Sequence, residues 1–249
     1  MNDTTVMQLF ERLSRLTAAT KQHTGDGTTW DYTFPDGETH RYVIRGLKSH
    51  SEVEDSAFNL LIWVWNAKDY LKRWAELNGK VAQVVEDAVN SDECLMVCAD
   101  LANLLKHGAL KHSRSGQYPR FGVVSFEAPQ AAIGSLTIFA FAVEIGIANP
   151  SLVEFRLPVV NNRGILIGDA FKYAEGGVAA LERVRTNIHN GLIIGSTRRR
   201  GIAFRDSRLS SVAATGYTWR GVAGCKIKYV NEFGSYPVMH GSLSLYWST

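Results

Sequence analysis

Residues 51–74 read SEVEDSAFNLLIWVWNAKDYLKRW, and the reading of this stretch decides the architecture. Ser51 followed three positions later by Glu54 has the pattern of a capping box, in which side chains satisfy free backbone N–H groups at a helix start. Phe58, Leu61, Ile62 and Trp65 recur at helical spacing, and Leu60, Trp63 and Val64 fill the opposite side. A helix that is apolar nearly all round is buried on several sides. The spacing therefore predicts a central helix whose polar end, Lys68-Asp69 and Lys72-Arg73, emerges into water.

Upstream, Val6, Leu9, Phe10, Leu13 and Leu16 form the apolar stripe of an amphipathic helix over residues 3–22. Two extended runs, 28–34 and 40–46, flank Pro35-Asp36-Gly37, a strong turn signal, and predict a β hairpin. Downstream, a short helix is expected over 80–89. Ser91 and Asp92 then open another that runs from Glu93 to Lys106 or His107, and Gly108 is placed to end it in a left-handed conformation. Residues 108–118 are polar and basic and read as an exposed loop. Strands are expected over 120–127, 135–146 and 152–160, followed by a turn at Asn161-Asn162-Arg163-Gly164. A last long helix spans about 168–190. Gly176-Gly177 within it cost about 1 kcal/mol each relative to Ala, which implies close packing or a bend.

These elements predict an α+β fold. A helical core of segments 51–74, 91–107 and 168–190 carries an inserted antiparallel sheet, an N-terminal β hairpin and a basic, strand-rich C-terminal region. Composition supports a sizeable buried core, in one large domain or two small ones: 249 residues, 45% hydrophobic and 20% charged, with only 3 Cys and 6 Pro. Residues 131–148, AAIGSLTIFAFAVEIGIA, have the length of a membrane span, but they alternate apolar residues with period two and contain Glu144. That pattern predicts a strand, with Thr137, Phe139, Phe141, Val143 and Ile145 on one face and Ile138, Ala140, Ala142 and Glu144 on the other. The N-terminal residues lack the basic start and apolar block of a signal peptide, and three cysteines suit a reducing compartment. The expectation is a cytoplasmic protein with no membrane partner.

Charge is uneven along the chain. Residues 191–249 hold eight Lys or Arg against two acids, Asp206 and Glu232, although the whole chain carries only +3. This break divides the chain into a core, 1–190, and a C-terminal extension, 191–249, with short strands expected near 202–205, 216–222, 225–230 and 242–247. Basic and aromatic residues interleave there: Arg198-Arg199-Arg200, Phe204-Arg205, Tyr217, Trp219-Arg220, Lys226 and Lys228-Tyr229. Guanidinium groups suit phosphates, and aromatic faces suit unpaired bases. Arg198, Arg199, Arg200, Arg205 and Arg220 are the candidate nucleic-acid contacts. The same surface could dock on an acidic protein, or be one side of a solvated sheet.

Two other clusters carry chemistry. Asp100, Asn103 and His107 lie at i, i+3 and i+7, and Lys106 and His107 stand where the helix dipole favours positive charge. This polar corner is either a phosphate or proton-transfer site or a cationic helix end. Cys94 and Cys98 share a helix face, but two thiolates do not complete a zinc site, and they read as small core residues. No metal or cofactor is expected. Phosphate-binding loops, dinucleotide fingerprints, nucleophile elbows and zinc-protease motifs are absent from the sequence.

The helix carrying Trp63, Trp65 and Asp69, followed by a helix ending ADLANLLKHG, resembles the helical cores of HEPN-type proteins over roughly residues 50–190. Active members carry an Arg, four to six arbitrary residues and then a His on a late helix; Arg183 and His189 fit that spacing. Val184 departs from the polar residue usual after the Arg, and long strands between the helices are foreign to a minimal bundle. The resemblance implies metal-independent RNA cleavage, with His189 moving the proton of a ribose hydroxyl and Arg183 or Arg185 binding phosphate oxygens. It also implies a homodimer. Arg185 and His189 are one helical turn apart, whereas Arg183 and His189 diverge by about 120° on an ideal helix. Two functions stay open: a binding module that engages RNA or a protein partner through its basic surface, and an endoribonuclease of toxin or phage-defence type.

Overall fold

The computed structural model describes residues 3–33, 36–190, 218–220, 226–229 and 242–246. The chain opens with helix α1 (Asp3–Thr20) and the strands β1 (Thr28–Thr33) and β2 (Thr39–Arg45). Three helices follow, α2 (His50–Leu77), α3 (Gln83–Ser91) and α4 (Glu93–His107). Seven short strands come next: β3 (Arg120–Phe121), β4 (Ser125–Pro129), β5 (Ile133–Phe139), β6 (Ala142–Ile147), β7 (Glu154–Arg156), β8 (Pro158–Val160) and β9 (Leu166–Asp169). Helix α5 (Ala170–His189) precedes β10 (Thr218–Arg220), β11 (Lys226–Tyr229) and β12 (Ser242–Tyr246). The fold is α+β, with the hairpin β1–β2 where the Pro-Asp-Gly signal sets it.

The chain folds into two compact units, each assembled from separate segments. The first comprises Met1–Lys21, Asp55–Gly122 and Pro158–Phe204; the second comprises Gln22–Glu54, Val123–Leu157 and Arg205–Thr249. The segments of each unit are separated along the chain. The reason is strand pairing: β12 lies antiparallel to β4, so the chain's distal strands share a sheet with strands from its middle. A composition break along the sequence carries no trace of such long-range pairing.

The first unit contains the helical core and a three-stranded sheet, β3-β8-β9. Val6, Leu9 and Leu13 of α1 are buried, as their spacing predicts. Asp92 caps α4 by accepting the Leu95 N–H at 3.1 Å, and Gly108 ends it at φ 70° with its N–H on the Leu104 carbonyl. Asp169 caps α5 in the same way, accepting from Phe171 and Lys172. The glycine pair of α5 meets α4 closely. A Cβ on Gly176 would lie 2.5 Å from Cys94 Sγ, and one on Gly177 would lie 2.9 Å from Val64 Cγ1 and 3.2 Å from Cys98 Sγ. Close packing accounts for the two glycines.

The second unit contains a four-stranded sheet, β1-β2-β6-β5, and a five-stranded sheet, β10-β11-β12-β4-β7. In the first sheet β2 and β6 are parallel, and the other neighbours are antiparallel. The strand expected over 135–146 is in fact two, β5 and β6, which turn at Ala140-Phe141. The turn reverses the expected faces. Thr137 pairs with Glu144 and Leu136 with Ile145, so odd residues of β5 share a face with even residues of β6. Ile145 is therefore buried, while Phe139 is 58% exposed. Neither turn residue has positive φ, so the Gly or Asn that usually signals a two-residue hairpin is not needed. The expected strand 152–160 is likewise broken into β7 and β8, which belong to different sheets. The capping box of α2 also falls two residues earlier than predicted: the Ser49 N–H donates to Glu52 Oε2 at 2.7 Å and the Glu52 N–H to Ser49 Oγ at 3.3 Å. Among the described residues, no helix is long and apolar enough to cross a membrane.

Candidate functional site

Helix α4 brings its polar residues to three different environments. Asp100 is buried, 1% exposed, and its carboxylate accepts four hydrogen bonds from the loop after the helix. Arg114 N–H reaches Oδ1 at 2.7 Å; Ser113 Oγ, Ser115 Oγ and Ser115 N–H reach Oδ2 at 2.6, 2.7 and 3.0 Å. Its acceptor capacity is committed to these backbone and hydroxyl donors. Asn103 is half-buried and His107 is exposed at the helix end. Lys106 donates to Asn66 Oδ1 on α2 at 3.0 Å. The expected polar corner is thus not one accessible cluster: Asp100 faces inward and holds a loop. Residues 113–115, expected as exposed loop, are held against the helix by that carboxylate.

The clamped loop delivers Arg114 to a second polar cluster. Lys68, expected in water, is buried at 8% exposure. Its Nζ lies 3.2 Å from Asp69 Oδ1, 3.5 Å from Glu86 Oε1 and 4.0 Å from the centre of the Trp65 ring. Lys72 also pairs with Glu86, and Arg114 Nη1 reaches Glu86 Oε2 at 3.2 Å and Asn90 Oδ1 at 2.9 Å. The Arg114 guanidinium stands 4.7 Å from the Trp65 ring centre. Helix α3 supplies the counter-charge that lets Lys68 leave water, while Asp69 and Arg73 stay exposed as expected. Burial pushes the Glu86 carboxyl up, but hydrogen bonds from Lys72 and Arg114 and the charges of Lys68 and Lys72 outweigh it and bring the pKa down to about 2. A carboxylate so firmly ionised braces three elements and moves no proton near neutral pH. The sequence signal for this cluster was the spacing of Trp65, Lys68 and Lys72 along one side of α2; the partner Glu86 had none.

The three residues of the expected catalytic set point to different neighbours. Arg183 Nη2 pairs with Asp92 Oδ2 at 3.0 Å, at the start of α4. Arg185 Nε donates to Glu182 Oε2 at 3.0 Å, and its guanidinium lies 4.9 Å from the Phe10 ring centre on α1. His189 is exposed at the last turn of α5. Both guanidinium groups are thus taken by carboxylates, and among the described residues no side chain joins the three. Of the candidate nucleic-acid contacts, Arg220 lies in β10; Arg198, Arg199, Arg200 and Arg205 lie outside the described residues, as does the strand expected over 202–205.

The thiols of α4 are free, Cys94 half-buried and Cys98 buried. Cys98 is fully buried and donates to the Tyr173 carbonyl at 3.3 Å. Burial, with Asp92 and Glu93 nearby, pushes the Cys94 thiol up to about 11. Among the described residues, no three His, Cys, Asp or Glu side chains gather in a way that could hold a metal ion. Comparison with family models, with curated proteins and with solved structures gives no match.

Proposed function

We propose that this chain is a cytoplasmic, HEPN-like binding module that engages RNA through basic residues of region 191–249 and does not cleave it. The observation that carries the reading is the register of the five-stranded sheet. Arg220 pairs with Lys226 and Thr218 with Lys228, so three cationic positions fall on one face of β10 and β11. Like charges directly opposite across an antiparallel ladder are unfavourable on their own, and a polyanion offsets them. The eight-to-two excess of basic over acidic residues in 191–249 points the same way. The ion pairs of Arg183 and Arg185 argue for binding over catalysis, since a phosphate would have to displace a carboxylate from each. The free thiols Cys94 and Cys98 suit a reducing compartment.

The test is fluorescence anisotropy with labelled single-stranded RNA across a salt series in EDTA. Affinity should fall as salt rises, with a log–log slope of about −0.7 per phosphate neutralised. Replacing Arg198, Arg199, Arg200 and Arg220 with Glu together should weaken binding at least tenfold and flatten that slope, and the RNA should be recovered intact. No binding at low salt would overturn the reading. Binding to polyglutamate but not to RNA would reassign the basic region to an acidic protein. Cleavage in EDTA that His189→Ala abolishes would replace it with the nuclease.

A further inference from the structure

Several basic side chains of the first unit are neutralised by carboxylates. Lys21 pairs with Glu175, Lys68 and Lys72 with Glu86, Arg114 with Glu86, Arg183 with Asp92 and Arg185 with Glu182. A different group gathers around the end of the loop that Asp100 clamps. Lys111, His112, Arg120 and Arg163 are all exposed, and among the described residues none has a carboxylate partner. No acid occurs between Asp100 and Glu127, or between Arg156 and Asp169. Three connections bring these segments together. The Tyr118 N–H donates to Ser113 Oγ at 3.1 Å, next to His112. The Asn162 N–H donates to the Gln117 carbonyl at 3.3 Å, which docks the turn carrying Arg163 beside Tyr118. Arg120 pairs with Val160 across β3 and β8.

Tyr118 sits at the centre of this group in an unusual conformation. Its φ is 50°, the one positive value at a non-glycine residue among those described. The following Pro119 restricts it further. Such strain persists where the surroundings impose it, and it concentrates at ligand sites. Here the imposing group is itself anchored: Ser113 Oγ, which holds the Tyr118 N–H, donates to the buried Asp100 carboxylate. The outcome is an aromatic side chain left 38% exposed on a fixed loop, among cations that lack counter-charges.

We infer that Tyr118, Lys111, Arg120 and Arg163 form a binding surface for single-stranded RNA, in which Tyr118 stacks on a base and the cations take the adjoining phosphates. Every base offers a face to an aromatic ring, and the guanidinium groups match phosphate oxygens in pairs. The inference rests on the RNA-binding reading above and adds a surface outside region 191–249.

The experiment uses the full chain and labelled oligouridylate in EDTA. Tyr118→Ala should weaken binding about tenfold, and Tyr118→Phe should retain it, because stacking needs the ring and not the hydroxyl. Arg120→Glu with Arg163→Glu should weaken binding and reduce the salt slope by about one to two phosphates' worth. This pair stands on an exposed surface and decides the matter if Tyr118→Ala disturbs folding. Wild-type affinity in the arginine pair and in Tyr118→Ala, alongside a loss in the region 191–249 variant, would sink this surface and leave the RNA reading standing. No RNA binding by the wild-type chain would remove both. Displacement of the RNA by polyglutamate, with Tyr118→Ala unchanged for both, would show a surface that reads charge alone and overturn the stacking.

Discussion

Glu86 faces two lysines and an arginine from a largely buried position, and its charge state should be visible in the protein's stability. Its folded pKa of about 2 lies below the ordinary value of 4.5, so its contribution is complete above pH 4.5 and disappears as pH falls toward 2. The side chain is 17% exposed, so screening is modest, and the contribution is on the order of 2 to 3 kcal/mol. Glu86→Gln should be destabilised by that amount in urea unfolding at pH 7. The gap from wild type should narrow steadily below pH 4.5; an equal gap at pH 7 and pH 2.5 would contradict the assignment. Little of this residue's role was legible in the sequence. Lys68 and Lys72 read as a solvated helix end because a helical pattern reports which residues share a side, not which other helix will cover them. Asp100 was singled out for its place on α4, yet its partners lie beyond Gly108, in a segment whose polarity alone suggests water.

Elements whose limits are set by neighbouring residues were the legible ones. Asp92 and Gly108 bound α4 through bonds to its own backbone, and Asp169 opens α5 in the same manner. The hairpin β5–β6 was missed because its turn uses ordinary backbone angles at Ala140 and Phe141, and the period-two pattern runs on unbroken through it. The glycines of α5 give a prediction of opposite sign to helix propensity. Alanine is the better helix former by about 1 kcal/mol. At Gly177, however, the new methyl would press on Val64 and Cys98, both packed and buried. Overpacking of this kind costs about 1 to 3 kcal/mol, so Gly177→Ala should lower the thermal midpoint, as differential scanning calorimetry will record. A raised midpoint would mean that α4 and α5 separate easily.

At the scale of the whole molecule, neither compact unit is a continuous stretch, and this changes how the chain can be dissected. Removing residues 191–249 takes away β12, the antiparallel neighbour of β4. That leaves a row of unpaired backbone groups beside Phe126 and Ala128, which are fully buried in the intact chain. An uncovered apolar strand edge invites association. The truncated chain should therefore elute from a sizing column as aggregates while the full chain does not; a well-behaved truncated species would show that β4 needs no outer strand. Charge substitutions, which leave the backbone pairing in place, are the cleaner probe of RNA binding. The fold class could be read from helix and strand periodicity, but the strand partners could not, because pairing depends on which segments meet and not on what either one contains.

The parallel pairing of β2 with β6 has a further consequence during synthesis. Three helices separate those strands along the chain, so the β1–β2 hairpin leaves the ribosome long before the strand that completes it, and β4 waits for one encoded on the far side of α5. Non-local pairings of this sort make for slow maturation. The interval before both sheets close is when a nascent chain of this protein would lean most heavily on chaperones.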